Sequence, residues 1–209
     1  ADVRAGGALA RIRPHIVNIH GGFWRSDTDR THTGPLGVAL AESGWTNASI
    51  EYRRVPGQPH LTTDDVALAL RTLPEHIDTH DGGVIVSGHS AGGHLALWVA
   101  ATGQISGLAG ALALAPVADL RLAHSLRLGR DATLAFLGGD ASAHGALDPK
   151  RLPTPACNVT IVHGNDDEIV PIALAESYVA THTRARLVGL AGAAHFAVID
   201  PVSDAWAVV

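Results

Sequence analysis

The sequence predicts an α/β fold: a mostly parallel, twisted sheet with helices on both faces. Short apolar or β-branched runs alternate with segments of helical apolar period, and Gly or Pro marks most junctions. A hydrophobic fraction of 46% against 17% charged residues, over 209 positions, is enough for one sizeable core. Strands alternating with helices imply right-handed crossovers and a buried parallel sheet. Residues 1–209 therefore read as a single domain.

The elements follow in order. Ile16–Ile19 is short, β-branched and ends at Gly21-Gly22, as a buried strand does. A helix is expected over 34–43 and a strand over 48–52. Thr62 or Thr63 reads as the cap of the next helix, with Asp64 and Asp65 in its first turn and Val66, Ala69, Leu70 and Leu73 on one face. Val84–Ser87 is an apolar strand that runs through Gly88–Gly92 into a helix over 93–101, apolar almost all round and so expected to be buried. Further strands are expected at 108–115, 159–162 and 186–190, with a helix over 172–182 and a short terminal helix. Between Val117 and Thr154 the alternation stops. This insertion reads either as a small helical cap over a site or as a structural helix on the sheet edge.

Composition narrows the function. A formal net charge of -5, with Lys150 the only lysine, argues against nucleic-acid binding and against a basic membrane-surface helix. The longest apolar runs are too short for a membrane span. Cys157 is the only cysteine, so there is no intramolecular disulfide and no CxxC metal pair. With no signal-peptide pattern at the N-terminus, the expectation is a cytoplasmic protein.

The motif that carries chemistry is Gly88-His89-Ser90-Ala91-Gly92. Gly-x-Ser-x-Gly is informative only between a strand and a helix, and here it has both. The glycines permit the tight turn that lifts the serine hydroxyl off the sheet, and the helix N-terminus offers free N–H groups to developing negative charge. A serine nucleophile needs a base held by an acid, and in an α/β fold with the serine on such a strand-to-helix turn the chain order is Ser, Asp or Glu, His. His195 follows the 186–190 strand and is the candidate base. The acid must come from the loop after 159–162, His163-Gly164-Asn165-Asp166-Asp167-Glu168. His20-Gly21-Gly22-Phe23-Trp24 follows the first buried strand, where two glycines let amides approach a substrate oxygen. Gly22, Phe23 and Ala91 are the expected oxyanion-hole donors by their backbone N–H groups. Trp24 and His89 are weaker candidates for substrate contact.

These motifs resemble the α/β-hydrolase superfamily, and within it the arylformamidase (kynurenine formamidase)-like esterases. His20-Gly21-Gly22-Phe23-Trp24 is similar to that branch's HGGxW loop, and Gly88–Ala96 to its nucleophile elbow. The loop ending at Val170-Pro171 is similar to the superfamily's His-Gly-x-x-Asp-x-x-Val-Pro pattern, which selects Asp167 as the acid with Asp166 as runner-up. The resemblance runs from about residue 15 to the C-terminus. The full fold has two further strands before the HGGxW strand, whereas this chain has about fourteen residues there, so a reduced sheet of six or seven strands is expected. Ala8–Arg13 is a possible edge strand.

The resemblance implies a serine hydrolase of the carboxylesterase kind acting on a small ester or amide, without metal or organic cofactor. Arylformamidase and peptidase activity are the alternatives within acyl hydrolysis. Outside it stand a zinc enzyme, disfavoured because no HExxH or comparable cluster occurs, and a non-catalytic ligand-binding homologue.

Overall fold

The computed structural model describes residues 1–7, 12–77 and 82–209. Its strands are β1 (Asp2–Arg4), β2 (His15–Ile19), β3 (Asn47–Ile50), β4 (Val84–His89), β5 (Leu108–Leu114), β6 (Asn158–Gly164) and β7 (Arg186–Leu190). The helices are α1 (Gly34–Glu42), α2 (Pro59–His76), α3 (Ala91–Thr102), α4 (Leu120–Ser125), α5 (Leu128–Leu137) and α6 (Ala173–Thr181). All seven strands form one sheet in the order β1-β3-β2-β4-β5-β6-β7. Every pairing is parallel except β1 with β3.

The described residues include an added edge strand, β1. Residues 8–11 of the expected Ala8–Arg13 strand lie outside the described residues, and Ile12 and Arg13 form a turn. Asp2–Arg4 takes the edge, its alternation of half-buried and exposed residues suiting a strand with one covered face. A difference from the expected elements is the start of α2. Pro59 opens that helix, three residues before the expected caps, because proline's fixed φ and missing N–H suit the first turn. Thr62 and Thr63 are consequently inside it, and their hydroxyls donate to the carbonyls of Arg53 (2.6 Å) and His60 (3.1 Å). The terminal helix is a 3-10 segment, Asp204–Val208.

The apolar-all-round pattern of α3 has its cause in the packing, since Ala91 through Ala100 are all buried. One side lies on the sheet. The other meets the insertion, where His94 Nε2–H donates to the Leu147 carbonyl at 2.8 Å and Trp98 Nε1–H to that of Ala146 at 3.2 Å. The insertion folds as α4, α5 and three short 3-10 turns. It packs beside the His20–Trp24 loop, where Phe136 of α5 stacks on Trp24 with ring centroids 4.6 Å apart.

Two close approaches define the start of α3. A Cβ on Gly92 would lie 2.0 Å from the Ile19 carbonyl oxygen, and one on Gly88 would lie 2.2 Å from that of Gly92. Gly92→Ala is expected to destabilise the protein by about 2–3 kcal/mol or more, because backbone has to move to admit a methyl group. Urea unfolding of the variant checks this.

His94 carries a second prediction. It is fully buried, and burial pulls its pKa from 6.5 to about 4, partly opposed by the bond to Leu147. The unfolded chain binds the proton that the folded chain refuses, so this residue's contribution to stability falls as pH drops from 6.5 toward 4. Stability at pH 5 should be lower than at pH 7 by about 2 kcal/mol on its account. Denaturant melts of wild type and His94→Gln at both pH values should show a smaller drop in the variant.

Candidate active site

The site lies at the carboxyl ends of adjacent parallel strands, where open α/β sheets place their ligand clefts. Parallel register sets Ile19 of β2 opposite Gly88 of β4, which brings the His20–Trp24 loop beside the β4–α3 turn. Register also sets Gly164 of β6 opposite Leu190 of β7, so the loops after those strands are neighbours.

Ser90 sits at the β4–α3 turn with φ 56° and ψ −118°, a conformation costly for any side chain. Its N–H donates to the Leu114 carbonyl at 2.8 Å, and its own carbonyl accepts from His94 and Val117, so the turn is held from three sides. The serine side chain is thereby raised into a cavity of about 350 Å³. Gly22, Phe23, His89 and His195 line that cavity, as do four residues the sequence analysis did not single out: Thr28, His32, Ile169 and Phe196.

Opposite Ser90 stands an acid–imidazole pair. His195 Nδ1–H donates to Asp167 Oδ2 at 2.6 Å, with both side chains buried. Asp167 Oδ1 accepts the N–H groups of Ile169 (2.9 Å) and Val170 (2.8 Å). Burial pushes the Asp167 carboxyl up. Hydrogen bonding from His163 and His195 and from the Val170 amide outweighs it and holds the group well below the usual carboxylate range. The carboxylate is therefore charged whenever the fold is intact near neutral pH. Asp166 is exposed and meets the β7 loop only by its backbone, donating to the Ala193 carbonyl. It is Asp167 that the fold brings to His195.

Buried histidines support both partners. His163 Nε2 lies 3.3 Å from Asp167 Oδ2 and donates to the Val170 carbonyl at 2.8 Å. His89 Nε2–H donates to the His195 carbonyl at 3.0 Å, tying the residue before Ser90 to the backbone of the base. Burial, with His195 nearby, pushes the His89 pKa far down and keeps its ring neutral. His163 was visible in the His-Gly-x-x-Asp pattern, but among thirteen histidines nothing in the sequence marked His32 as a cavity residue.

The His20–Trp24 loop turns through three successive residues of positive φ, Gly22 (102°), Phe23 (50°) and Trp24 (54°), closed by Arg25 N–H to the Gly22 carbonyl at 2.9 Å. Beneath it His20 Nδ1–H donates to the Gly21 carbonyl at 2.8 Å, and the ring stacks on Tyr52 at 4.4 Å. Burial lowers the His20 pKa against the pull of Glu51. With the ring neutral, Arg54 Nη1 bridges His20 Nε2 (2.9 Å) and Glu51 Oε1 (2.8 Å). Gly22 and Phe23 thus border the Ser90 cavity on a braced loop, and Ala91 follows Ser90 as the first residue of α3. Trp24 closes the loop. It is buried under the loop, between Phe136 and the edge of His94, outside the Ser90 cavity. Among the described residues no cluster of His, Cys, Asp or Glu is arranged to hold a metal ion, and no helix is long and apolar enough to cross a membrane.

A seven-stranded, mostly parallel sheet with a strained serine at the β4–α3 turn defines an α/β-hydrolase fold. The chain belongs to the BD-FAE family, whose model matches residues 5–117. It is similar to Probable carboxylic ester hydrolase LipM of Mycobacterium tuberculosis, 36% identical over 45% of this chain and 23% of that protein. Kynurenine formamidase of Danio rerio is 24% identical over 74% of this chain and 54% of that protein. These matches thus span between about a quarter and about half of the relatives' own length. Among solved structures, the propionate-bound esterase Est2 of Thermogutta terrifontis superposes with a TM-score of 0.68 at 25% identity, covering 93% of this chain and 79% of that one. Esterase B of Lactobacillus rhamnosis superposes with a TM-score of 0.73 at 23% identity, covering 93% and 72%.

Proposed function

We propose that this chain is a serine hydrolase of carboxylic esters. The observation that carries the reading is the buried Asp167–His195 pair at 2.6 Å, whose imidazole lines one cavity with a serine on a strained strand-to-helix turn. Because His195 Nδ1 is engaged by Asp167, Nε2 is the nitrogen left for proton transfer.

Ser90 Oγ attacks the ester carbonyl carbon while His195 Nε2 takes the hydroxyl proton. The carbonyl π electrons move to oxygen, which is held by the amides of Ala91, Gly22 and Phe23. Collapse of this intermediate breaks the C–O bond, and the departing alkoxide takes the proton from His195. Water then attacks the acyl-enzyme, giving its proton to His195, and the acid leaves as Ser90 recovers its hydrogen. Asp167 stays ionised throughout and stabilises the imidazolium. The esterase relatives support ester substrates, and the propionate bound to the Thermogutta enzyme supports a short acyl group. A cytoplasmic location and a single catalytic domain complete the proposal.

Formamide cleavage is the second reading, supported by the kynurenine formamidase match over 74% of the chain. Rates on 4-nitrophenyl acetate and on N-formylkynurenine separate the two. A formamide kcat/KM higher by orders of magnitude would overturn the ester assignment. Ser90→Ala and His195→Ala should each lower kcat by about 10⁴-fold or more, and Asp167→Asn by somewhat less. Asp166→Asn should stay within a few-fold of wild type. If it proves the more damaging of the two carboxylate changes, Asp167 is not the acid. Labelling by a fluorophosphonate probe should require Ser90, and absence of labelling in the wild type would point to a binding protein.

A further inference from the structure

A second cavity, of about 260 Å³, lies next to the Ser90 cavity, and Phe23 lines both. At roughly 30 Å³ for each water, it has the room of eight or nine of them, enough for a short chain and its end group. Its wall combines two kinds of surface. The buried, stacked rings of Trp24 and Phe136 are apolar. Arg25 and Arg54 bring two guanidinium groups, set against one carboxylate, Asp27, which is exposed.

The two arginines differ in how far their neighbours satisfy them. Arg25 donates from Nη2 to the Gly129 carbonyl and makes no ion pair among the described residues. Arg54 is neutralised by Glu51, and its Nη1 also meets His20 Nε2 and the Thr28 carbonyl, so Arg25 is the lining arginine that carries no ion pair among the described residues. An apolar wall with one guanidinium free of an ion pair suits an aliphatic arm that ends in a carboxylate.

The side of the substrate that enters follows from the chemistry. The leaving oxygen must collect its proton from His195, which lines the Ser90 cavity and not the second one. The acyl side carries no such requirement, and Phe23, whose amide we assign to the oxyanion hole, is the partition between the two spaces. We infer that the second cavity is a subsite for a carboxylate-tipped acyl arm, so that monoesters of short dicarboxylic acids are preferred over neutral esters of equal length. The inference rests on the ester-hydrolase reading above.

The test compares kcat/KM for mono-4-nitrophenyl adipate with that for 4-nitrophenyl methyl adipate, alongside 4-nitrophenyl acetate. In the wild type the adipate ratio, free acid over methyl-capped, should exceed one. It should fall as NaCl rises from about 0.05 to about 0.5 M. Arg25→Gln should lower the ratio by about ten-fold, the scale of one charge-assisted hydrogen bond. Loss of folded enzyme would depress both rates together and leave the ratio where it was. A wild-type ratio at or below one in low salt overturns the subsite, as does a ratio that Arg25→Gln does not move. Should Arg25→Gln fail to fold, the wild-type ratio and its salt dependence decide. Failure to cleave even the acetate would remove the ester-hydrolase reading and this inference with it, whereas acetate turnover with a ratio at or below one removes this inference alone.

Discussion

The arrangement depends on one steric constraint, the passage of α3 across the carboxyl end of β2. The Ile19 carbonyl lies where a side chain on Gly92 would begin. That closeness forces the chain to leave β4 abruptly, and the cost appears at Ser90, whose backbone adopts a conformation that non-glycine residues avoid. The same contact presses the His20–Trp24 loop against the serine. A Cβ on Gly21 would approach the Ser90 Cβ to 3.1 Å. Nucleophile and oxyanion loop are therefore positioned by one packing event rather than by two separate ones.

Buried imidazoles do much of the bracing around this point. His20 holds the Gly21 carbonyl, His89 the carbonyl of His195, His94 that of Leu147 and His163 that of Val170. Each bond runs from a ring N–H to a backbone oxygen. An uncharged imidazole suits the task because it donates one directed bond without the desolvation cost of an ammonium or guanidinium. Four of the thirteen histidines thus serve the backbone around the site.

Much of this was legible in the residues. The β4 and β7 strands, the buried character of α3 and the Gly-x-Ser-x-Gly turn follow from local period and glycine placement, which depend on short-range sterics. The choice of Asp167 over Asp166 came from resemblance, and the structure shows the physical difference: Asp167 is buried against two amides and two imidazoles, while Asp166 faces solvent. What stayed hidden was long-range. No local pattern distinguishes Asp2–Arg4 as a strand, because its pairing with β3 spans more than forty residues. Trp24 was ambiguous for the same reason, since its fate depends on Phe136, more than a hundred positions away. Thr62 and Thr63 misled because capping chemistry at one position was outcompeted by a proline just upstream.

The parallel register of the sheet has a consequence for how such a protein diversifies. The loops bearing Ser90, Asp167 and His195 are aligned by main-chain ladders, β4 to β5, β5 to β6 and β6 to β7. Main-chain bonding is indifferent to side-chain identity, so the spacing of the three loops is inherited from backbone alone. Residues that shape the cavities, such as Phe23, Arg25, His32 and Phe196, contribute nothing to those ladders. Selection is free to rewrite what enters the cleft while the geometry that acts on it stays put.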